Sequence, residues 1–268
     1  MGAQDLFEAA DFGRPLERQR GSTDHTNALL RGRRVAITGG TAGLGLAMVR
    51  ELLSRGARVA LVARRRNRVE RVARELAGAH GIVGDVSRKD DIHPIALQIL
   101  GALGGVDVLV NNASALGPQR LELLADTECE DFEHALATNV LGPFRLTKAL
   151  LGSLAASARE GRGGIVLNVS SDAAVTPYPR WGAYAASKAA LHHMTRIWSE
   201  ELRAEGIELV SLDPGDMDTD LHRQALPDSN PASLKRPEAA ACELSDAIEA
   251  SLSRSGAARA TAMEAELR

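Results

Sequence analysis

A short apolar run, Arg33 to Thr38 (RRVAIT), leads straight into the glycine-rich stretch Gly39 to Gly45 (GGTAGLG), and an apolar helical pattern (LAMVRELL) follows at once. Few folds accept that order. A strand this short and this apolar belongs inside a parallel sheet, covered on both faces. Glycines between strand and helix permit a tight turn and let a ligand approach the backbone. The helix start then offers unpaired N–H groups and a partial positive charge, suited to a pyrophosphate. The spacing is G-x-x-x-G-x-G, which differs from the G-x-G-x-x-G dinucleotide fingerprint. A plain structural turn is therefore the alternative reading.

The rest of the chain repeats the alternation. Short runs rich in Val, Ile and Leu lie at 33–38, 57–62, 79–83, 106–111, 163–170 and 207–212. Helical patterns fall between them, at 43–55, 66–77, 88–103, 127–159 and 182–205, with Gly142-Pro143 placed to bend the long fourth one. This predicts a single α/β domain of the Rossmann type: a doubly wound, mainly parallel sheet with helices on both faces. Residues 1–31 are polar and without a clear period and read as an N-terminal extension; 32–268 is the Rossmann-type domain. Residues 213–237 follow the sixth strand, are rich in Pro, Asp and Ser, and read as a lid over the sheet's carboxyl edge, with a short helix near 217–226. An ordinary surface loop is the plainer alternative. Beyond them the sequence supports at most a weak strand, 257–263.

Composition narrows the function. The net charge of −3 gives no field for nucleic acid or an anionic membrane. Two cysteines, Cys129 and Cys242, make neither a disulfide framework nor a metal cluster, so no metal is expected. No apolar stretch is long enough to span a bilayer, and the acidic start lacks a signal-peptide pattern; a cytoplasmic location is the default expectation.

Tyr184 and Lys188 stand four residues apart, on one face if the segment is helical, and Ser171 precedes Tyr184 by thirteen residues. A tyrosine hydroxyl titrates near ~10 and is a poor acid or base at neutral pH. A nearby ammonium favours the phenolate. A serine hydroxyl could hold a substrate oxygen against the phenol. This combination suggests proton transfer at an oxygen, beside a hydride donor held by the glycine loop.

Taken together, the Thr38–Gly45 loop, Asn111-Asn112-Ala113-Ser114, Asn139, Ser171, the Tyr184–Lys188 segment and Pro214-Gly215 resemble the short-chain dehydrogenase/reductase family, over roughly residues 33 to 252. The resemblance implies a catalytic tetrad of Asn139, Ser171, Tyr184 and Lys188. Tyr184 would be the general acid in reduction and the base in oxidation. Lys188 would lower its pKa and bind the nicotinamide ribose, Ser171 would polarise the carbonyl, and Asn139 would hold a water. Cofactor contacts are implied at Gly39, Thr41, Gly43, Leu44, Gly45, Asp85, Val86, Asn112, Ala113, Pro214 and Gly215, besides Tyr184 and Lys188. Asp85 also has the plainer reading of a strand-end cap. Ser114 departs from the family's commoner glycine. Trp181 is a candidate pocket wall, with Ser171 and Tyr184 as substrate contacts.

At the end of the second strand Ala63 stands where a carboxylate would bind a ribose hydroxyl, and Arg64 follows it. A guanidinium without that carboxylate suits a 2′-phosphate, so NADP(H) is expected over NAD(H). Arg66 and Arg68 read as solvated. His192 and His193 read as packing residues, while His222, Asp216, Asp218 and Asp220 read as lid residues. The expected function is an NADP(H)-dependent oxidoreductase interconverting a ketone or aldehyde with an alcohol. The alternatives are a 3-oxoacyl-thioester reductase and a non-catalytic NADP(H)-binding regulatory protein. The partner is a small-molecule carbonyl or alcohol, and the resemblance implies a homodimer or homotetramer built on 127–159 and 182–205.

Overall fold

The computed structural model describes residues 29–266, with side-chain environments through residue 256. Six strands, β1 (Arg34–Thr38), β2 (Arg58–Ala63), β3 (Ala79–Val83), β4 (Val108–Asn111), β5 (Ile165–Val169) and β6 (Glu208–Leu212), form one sheet in the order β3-β2-β1-β4-β5-β6. Every pairing is parallel. The connecting helices are α1 (Gly43–Ser54), α2 (Arg66–Glu75), α3 (Lys89–Leu103), α4 (Cys129–Leu136), α5 (Gly142–Arg159), α6 (Gly182–Glu201), α7 (Asp220–Ala225) and α8 (Pro237–Glu266).

Strand side chains alternate between two cores. Val35, Ile37, Leu61, Val110 and Leu167 meet Met48 and Leu52 of α1 and Leu244 and Ile248 of α8. Ala36, Val62, Leu109 and Val166 meet Ile95 and Ile99 of α3 and Leu146 and Leu150 of α5. Both faces being covered, the central strands carry apolar residues on both faces. Each fully buried Leu or Ile contributes ~1.5–3 kcal/mol. Edge strand β3 departs from this: His80 and Gly81 are exposed.

Strand order reverses between β1 and β4, which opens a crevice beyond their carboxyl ends, Thr38 and Asn111. At the opposite end of the sheet, fully buried Asp107 accepts from Arg34 Nη2 at 2.6 Å, Ser157 Oγ at 2.7 Å and Arg162 Nη2 at 3.2 Å. Burial alone would raise its pKa, but these donors outweigh burial and hold it below the usual carboxylate range. That end is pinned, and the crevice end is left for ligands.

Three expectations change. The single helix at 127–159 is α4, a π-helical turn at Ala137–Leu141, and α5. Pro143 has no N–H for the carbonyl of Asn139, four residues back, so the regular α-helical bond cannot form there. The weak strand at 257–263 is absent: the backbone is helical to Glu266 as part of α8. Its residues are mostly Ala with Met and Glu, strong helix formers, against a single β-branched Thr. Among the described residues, β6 therefore carries no seventh strand beside it. At the other terminus, residues 1–28 lie outside the described region, but Leu30 is fully buried in the α1–α8 core, so the packed body begins before residue 32.

Candidate active site

A cavity of about 650 Å³ lies over the carboxyl ends of the strands. Its first half is the glycine loop. A Cβ on Gly45 would stand 2.2 Å from the Gly39 carbonyl oxygen and 2.5 Å from Asn112 Nδ2, so no side chain fits there. Gly39 has φ 70°, which favours glycine. Thr38 Oγ1 accepts from the backbone N–H of Asn112 and of Ala113, each at 3.0 Å, and Asn112 Nδ2 donates to the Thr38 carbonyl at 2.9 Å. These bonds hold the ends of β1 and β4 together. No side chain caps α1 and no acid lies in its first turn, so its N–H groups face the cavity beside Thr41, Gly43, Leu44 and Gly45.

Ala63, Arg64, Arg65, Asp85 and Val86 line the far end. Arg64 is mostly exposed and comes within 4.0 Å of Asp85. Asp85 also accepts from Ser87 N at 2.9 Å and Ser87 Oγ at 2.7 Å, so the turn-closing reading and the cavity position both hold. Arg68 lines the cavity too, against the expectation that it is merely solvated; Arg66 does not.

The second half carries the hydroxyls. Ser171 follows β5, Tyr184 sits in the first turn of α6, and Lys188 one turn on. Tyr184 is 8 % exposed and its hydroxyl faces those of Ser171 and Ser114. Lys188 is 3 % exposed; its Nζ donates to the Val169 carbonyl at 2.8 Å and lies 5.5 Å from the Tyr184 ring centre. Burial pushes Tyr184 up to about 12, with Asp213 and Asp172 adding to it against the pull of the two serine hydroxyls. Burial likewise brings Lys188 down to about 8, with Asp213 opposing. Tyr184 thus lies above its ordinary value, not below it as expected from Lys188, and the phenol is neutral at neutral pH.

Asn139 lies in the π-helical turn and its side chain is saturated. Nδ2 donates to the Ala115 carbonyl and to Ser187 Oγ, each at 2.8 Å; Oδ1 accepts from Ala115 N at 2.9 Å and Ser114 Oγ at 3.2 Å. The side chain is fully committed to these four bonds and ties the loop after β4 to α6. Ser114, the departure at the end of the Asn-Asn-Ala segment, is absorbed into this set of bonds.

On the remaining side, Trp181 packs edge-on to Tyr184 at 5.6 Å. Pro214 and Gly215 line the cavity, and so do Asp216, Asp220 and His222; Asp218 instead pairs with Arg223. His192 contacts Ser211 at 3.1 Å, away from the cavity. Among the titratable lining residues, sequence reasoning passed over Asp172, Tyr178 and Asp213. Tyr178 has no lysine four residues later, and Asp172 was hidden by its neighbour Ser171. The only signal for Asp213 is its place before Pro214-Gly215.

The short chain dehydrogenase family matches the chain over residues 33–230. An uncharacterised oxidoreductase of Mycobacterium tuberculosis is 35% identical over 193 residues, 69% of this chain and 55% of that protein; the chain thus spans about half the length of that relative. A 3-ketoacyl-(acyl-carrier-protein) reductase of Brucella melitensis, complexed with NADH, superposes with a TM-score of 0.77 at 30% identity, covering 82% of this chain and 91% of that one. An alcohol dehydrogenase of the archaeon Thermococcus sibiricus, complexed with 5-hydroxy-NADP, gives 0.70 at 29% identity, covering 80% and 89%. A crevice at the strand-order reversal and a family match that runs from β1 past α7 agree on one descent, and the chain belongs to the short-chain dehydrogenase/reductase family.

Proposed function

We propose that the protein is an NADP(H)-dependent oxidoreductase interconverting a ketone or aldehyde with an alcohol, with Tyr184 as general acid and base. The observation that carries this reading is that the Tyr184 and Ser171 hydroxyls share one cavity with the glycine loop. Gly39, Thr41, Gly43, Leu44 and Gly45 would cradle the pyrophosphate at the start of α1, Asp85 and Val86 the adenine, and Asn112, Ala113, Pro214 and Gly215 the nicotinamide side. When bound, the nicotinamide supplies or takes the hydride. Arg64, with Arg65 and Arg68 beside it, favours a 2′-phosphate, and no carboxylate at Ala63 opposes it.

Tyr184, neutral at pH 7, donates its proton to the substrate oxygen in reduction and recovers it in oxidation. Ser171 polarises the same oxygen. Lys188 holds the nicotinamide ribose and keeps positive charge beneath the phenol. Asn139 fixes the loop that carries Ser114 against α6. Residues 213–237 act as the lid. The α4–α5 and α6 surfaces would be the faces of a homodimer or homotetramer, a reading that the exposed Leu141 and Ile197 support. A monomeric mass in light scattering would sink that assembly.

The Brucella neighbour favours 3-oxoacyl thioesters as a second reading. Against it, Asp172, Asp213, Asp216 and Asp220 line the substrate side, where an acidic carrier would want basic partners. The test is NADPH and NADH consumption with ketones, aldehydes and a 3-oxoacyl thioester, in wild type and Tyr184→Phe. NADPH-selective turnover that falls by about 10²–10⁴-fold in the variant supports the reading. Thioester-only turnover selects the second one. Cofactor binding with no turnover on any of them points to a regulatory protein.

A further inference from the structure

Ser171 has one hydrogen to donate and two lone pairs to accept with. Its hydrogen goes to Asp172 Oδ1 at 3.0 Å. Its oxygen accepts the Ala173 N–H at 3.2 Å, and the hydroxyl also faces that of Tyr184. With that hydrogen on Asp172, Ser171 has no donor free for a substrate carbonyl. The second oxygen of Asp172 accepts from the Tyr178 hydroxyl at 2.7 Å, which fixes the carboxylate in this orientation. An ionised carboxylate is an acceptor only, and it binds a hydroxyl hydrogen more strongly than a neutral carbonyl does. A plain ketone must therefore win the Ser171 proton from a better acceptor.

We propose that Asp172 is a positioning residue that sets the substrate class: it withholds the Ser171 proton until a donor on the substrate, a hydroxyl or an ammonium beside the carbonyl, engages its carboxylate. This rests on the carbonyl–alcohol reading above and deepens it. The substrates are α-hydroxy or α-amino carbonyl compounds and, in reverse, vicinal diols or amino alcohols. Asp172 is exposed, one residue from the serine, and lines the same cavity as Trp181 and Tyr184. Of the lining arginines and lysine, Arg64, Arg65 and Arg68 lie beyond the glycine loop, and Lys188 is buried on the Val169 carbonyl. Asp213 and Asp216 share that end and strengthen the case for an ammonium over a hydroxyl.

The experiment compares acetophenone, α-hydroxyacetophenone and α-aminoacetophenone with NADPH, in wild type, Asp172→Asn, Asp172→Ala, Ser171→Ala and the Asp172→Ala/Ser171→Ala double variant. The wild type should favour the donor-bearing ketones in kcat/KM by roughly tenfold or more, as a site built for a hydrogen bond rejects the analogue lacking it. Asp172→Ala should erase that preference, lowering the substituted ketones while raising acetophenone several-fold; Asp172→Asn should fall between. In the Ser171→Ala background, removing Asp172 should leave acetophenone unchanged, which a merely structural role does not predict. A wild type indifferent to the donor, or an equal loss on all three ketones in Asp172→Ala, overturns the proposal. A binding readout keeps the two layers apart. Tyr184→Phe with NADP⁺ is titrated with 1-phenylethanol and 1-phenyl-1,2-ethanediol, following tryptophan emission, with and without Asp172→Ala. A diol advantage that depends on Asp172 supports the positioning role even where turnover fails and the carbonyl reading falls; equal binding of the two alcohols overturns it.

Discussion

Lys188 shows what a single side chain costs and supplies here. Its ammonium is buried with one fixed acceptor, the Val169 carbonyl, and burial brings its pKa from 10.5 down to about 8. The folded protein therefore binds fewer protons than the unfolded chain between those two values, and stability rises with pH across that window. Below about pH 8 the full cost of burying the charge is present. Lys188→Met should then be more stable than wild type at pH 7 by about 1–3 kcal/mol, while turnover is lost. The gain should shrink as pH rises toward 10.5, where the unfolded lysine also loses its proton. Chemical denaturation of both proteins at pH 7 and pH 10 checks this; an advantage for Met that grows with pH contradicts it. Asn139 behaves differently. Its four hydrogen bonds are all internal, so Asn139→Ala should cost about 2–4 kcal/mol in a thermal melt, leaving the partners on Ala115, Ser114 and Ser187 unsatisfied.

At the scale of elements, the loop entering α6 carries the one non-glycine residue with positive φ among the described residues. Arg180 has φ 75°, uncommon for a residue with a Cβ, and its Nη2 reaches the Leu121 carbonyl at 2.7 Å. The clamp holds the chain that positions Trp181 against Tyr184. Two substitutions separate its parts: Arg180→Ala loses the clamp and keeps the strain, and Arg180→Gly loses the clamp and relieves it. The Ala variant should be less stable than the Gly variant by about 1 kcal/mol in matched melts. Equal stabilities would show that the backbone here is not strained. The same element shows what a sequence can reveal. Ser171, Tyr184 and Lys188 belong to one strand–loop–helix unit, so their spacing in the chain already determines their meeting in space, as it does for the glycine loop between β1 and α1. Asn139 meets Ala115 across 24 residues and Ser187 across 48, contacts that exist only once β4, the π-helical turn and α6 have packed. Its saturation could not be read from the motif. The tail differs for another reason: its strand signal was weak from the start, and its alanine-rich composition favours the helix that forms.

Over the whole molecule, charge is divided along the cavity more than its net value of −3 suggests. Arg64, Arg65 and Arg68 line one end, and Asp172, Asp213 and Asp216 the other. The glycine loop lies between them. This polarity would orient a dinucleotide with its 2′-phosphate at the arginines and its nicotinamide toward Tyr184, and it would draw a cationic substrate to the acidic end. Arg64 is exposed, and its interaction with a phosphate is therefore screened by salt in a way that a buried pair is not. The NADPH-over-NADH preference should thus weaken as ionic strength rises, whereas NADH affinity should change little. Ala63→Asp places a carboxylate at the end of β2, where it repels a 2′-phosphate and can accept from the ribose hydroxyls instead. It should shift the ratio of NADPH to NADH dissociation constants by at least about tenfold toward NADH, while Arg64→Ala weakens NADPH alone. Fluorescence titrations of both cofactors at low and high salt measure all of these at once. An unchanged ratio in Ala63→Asp would place the adenosine ribose away from the end of β2, and the arginines would then be surface charge rather than a phosphate site.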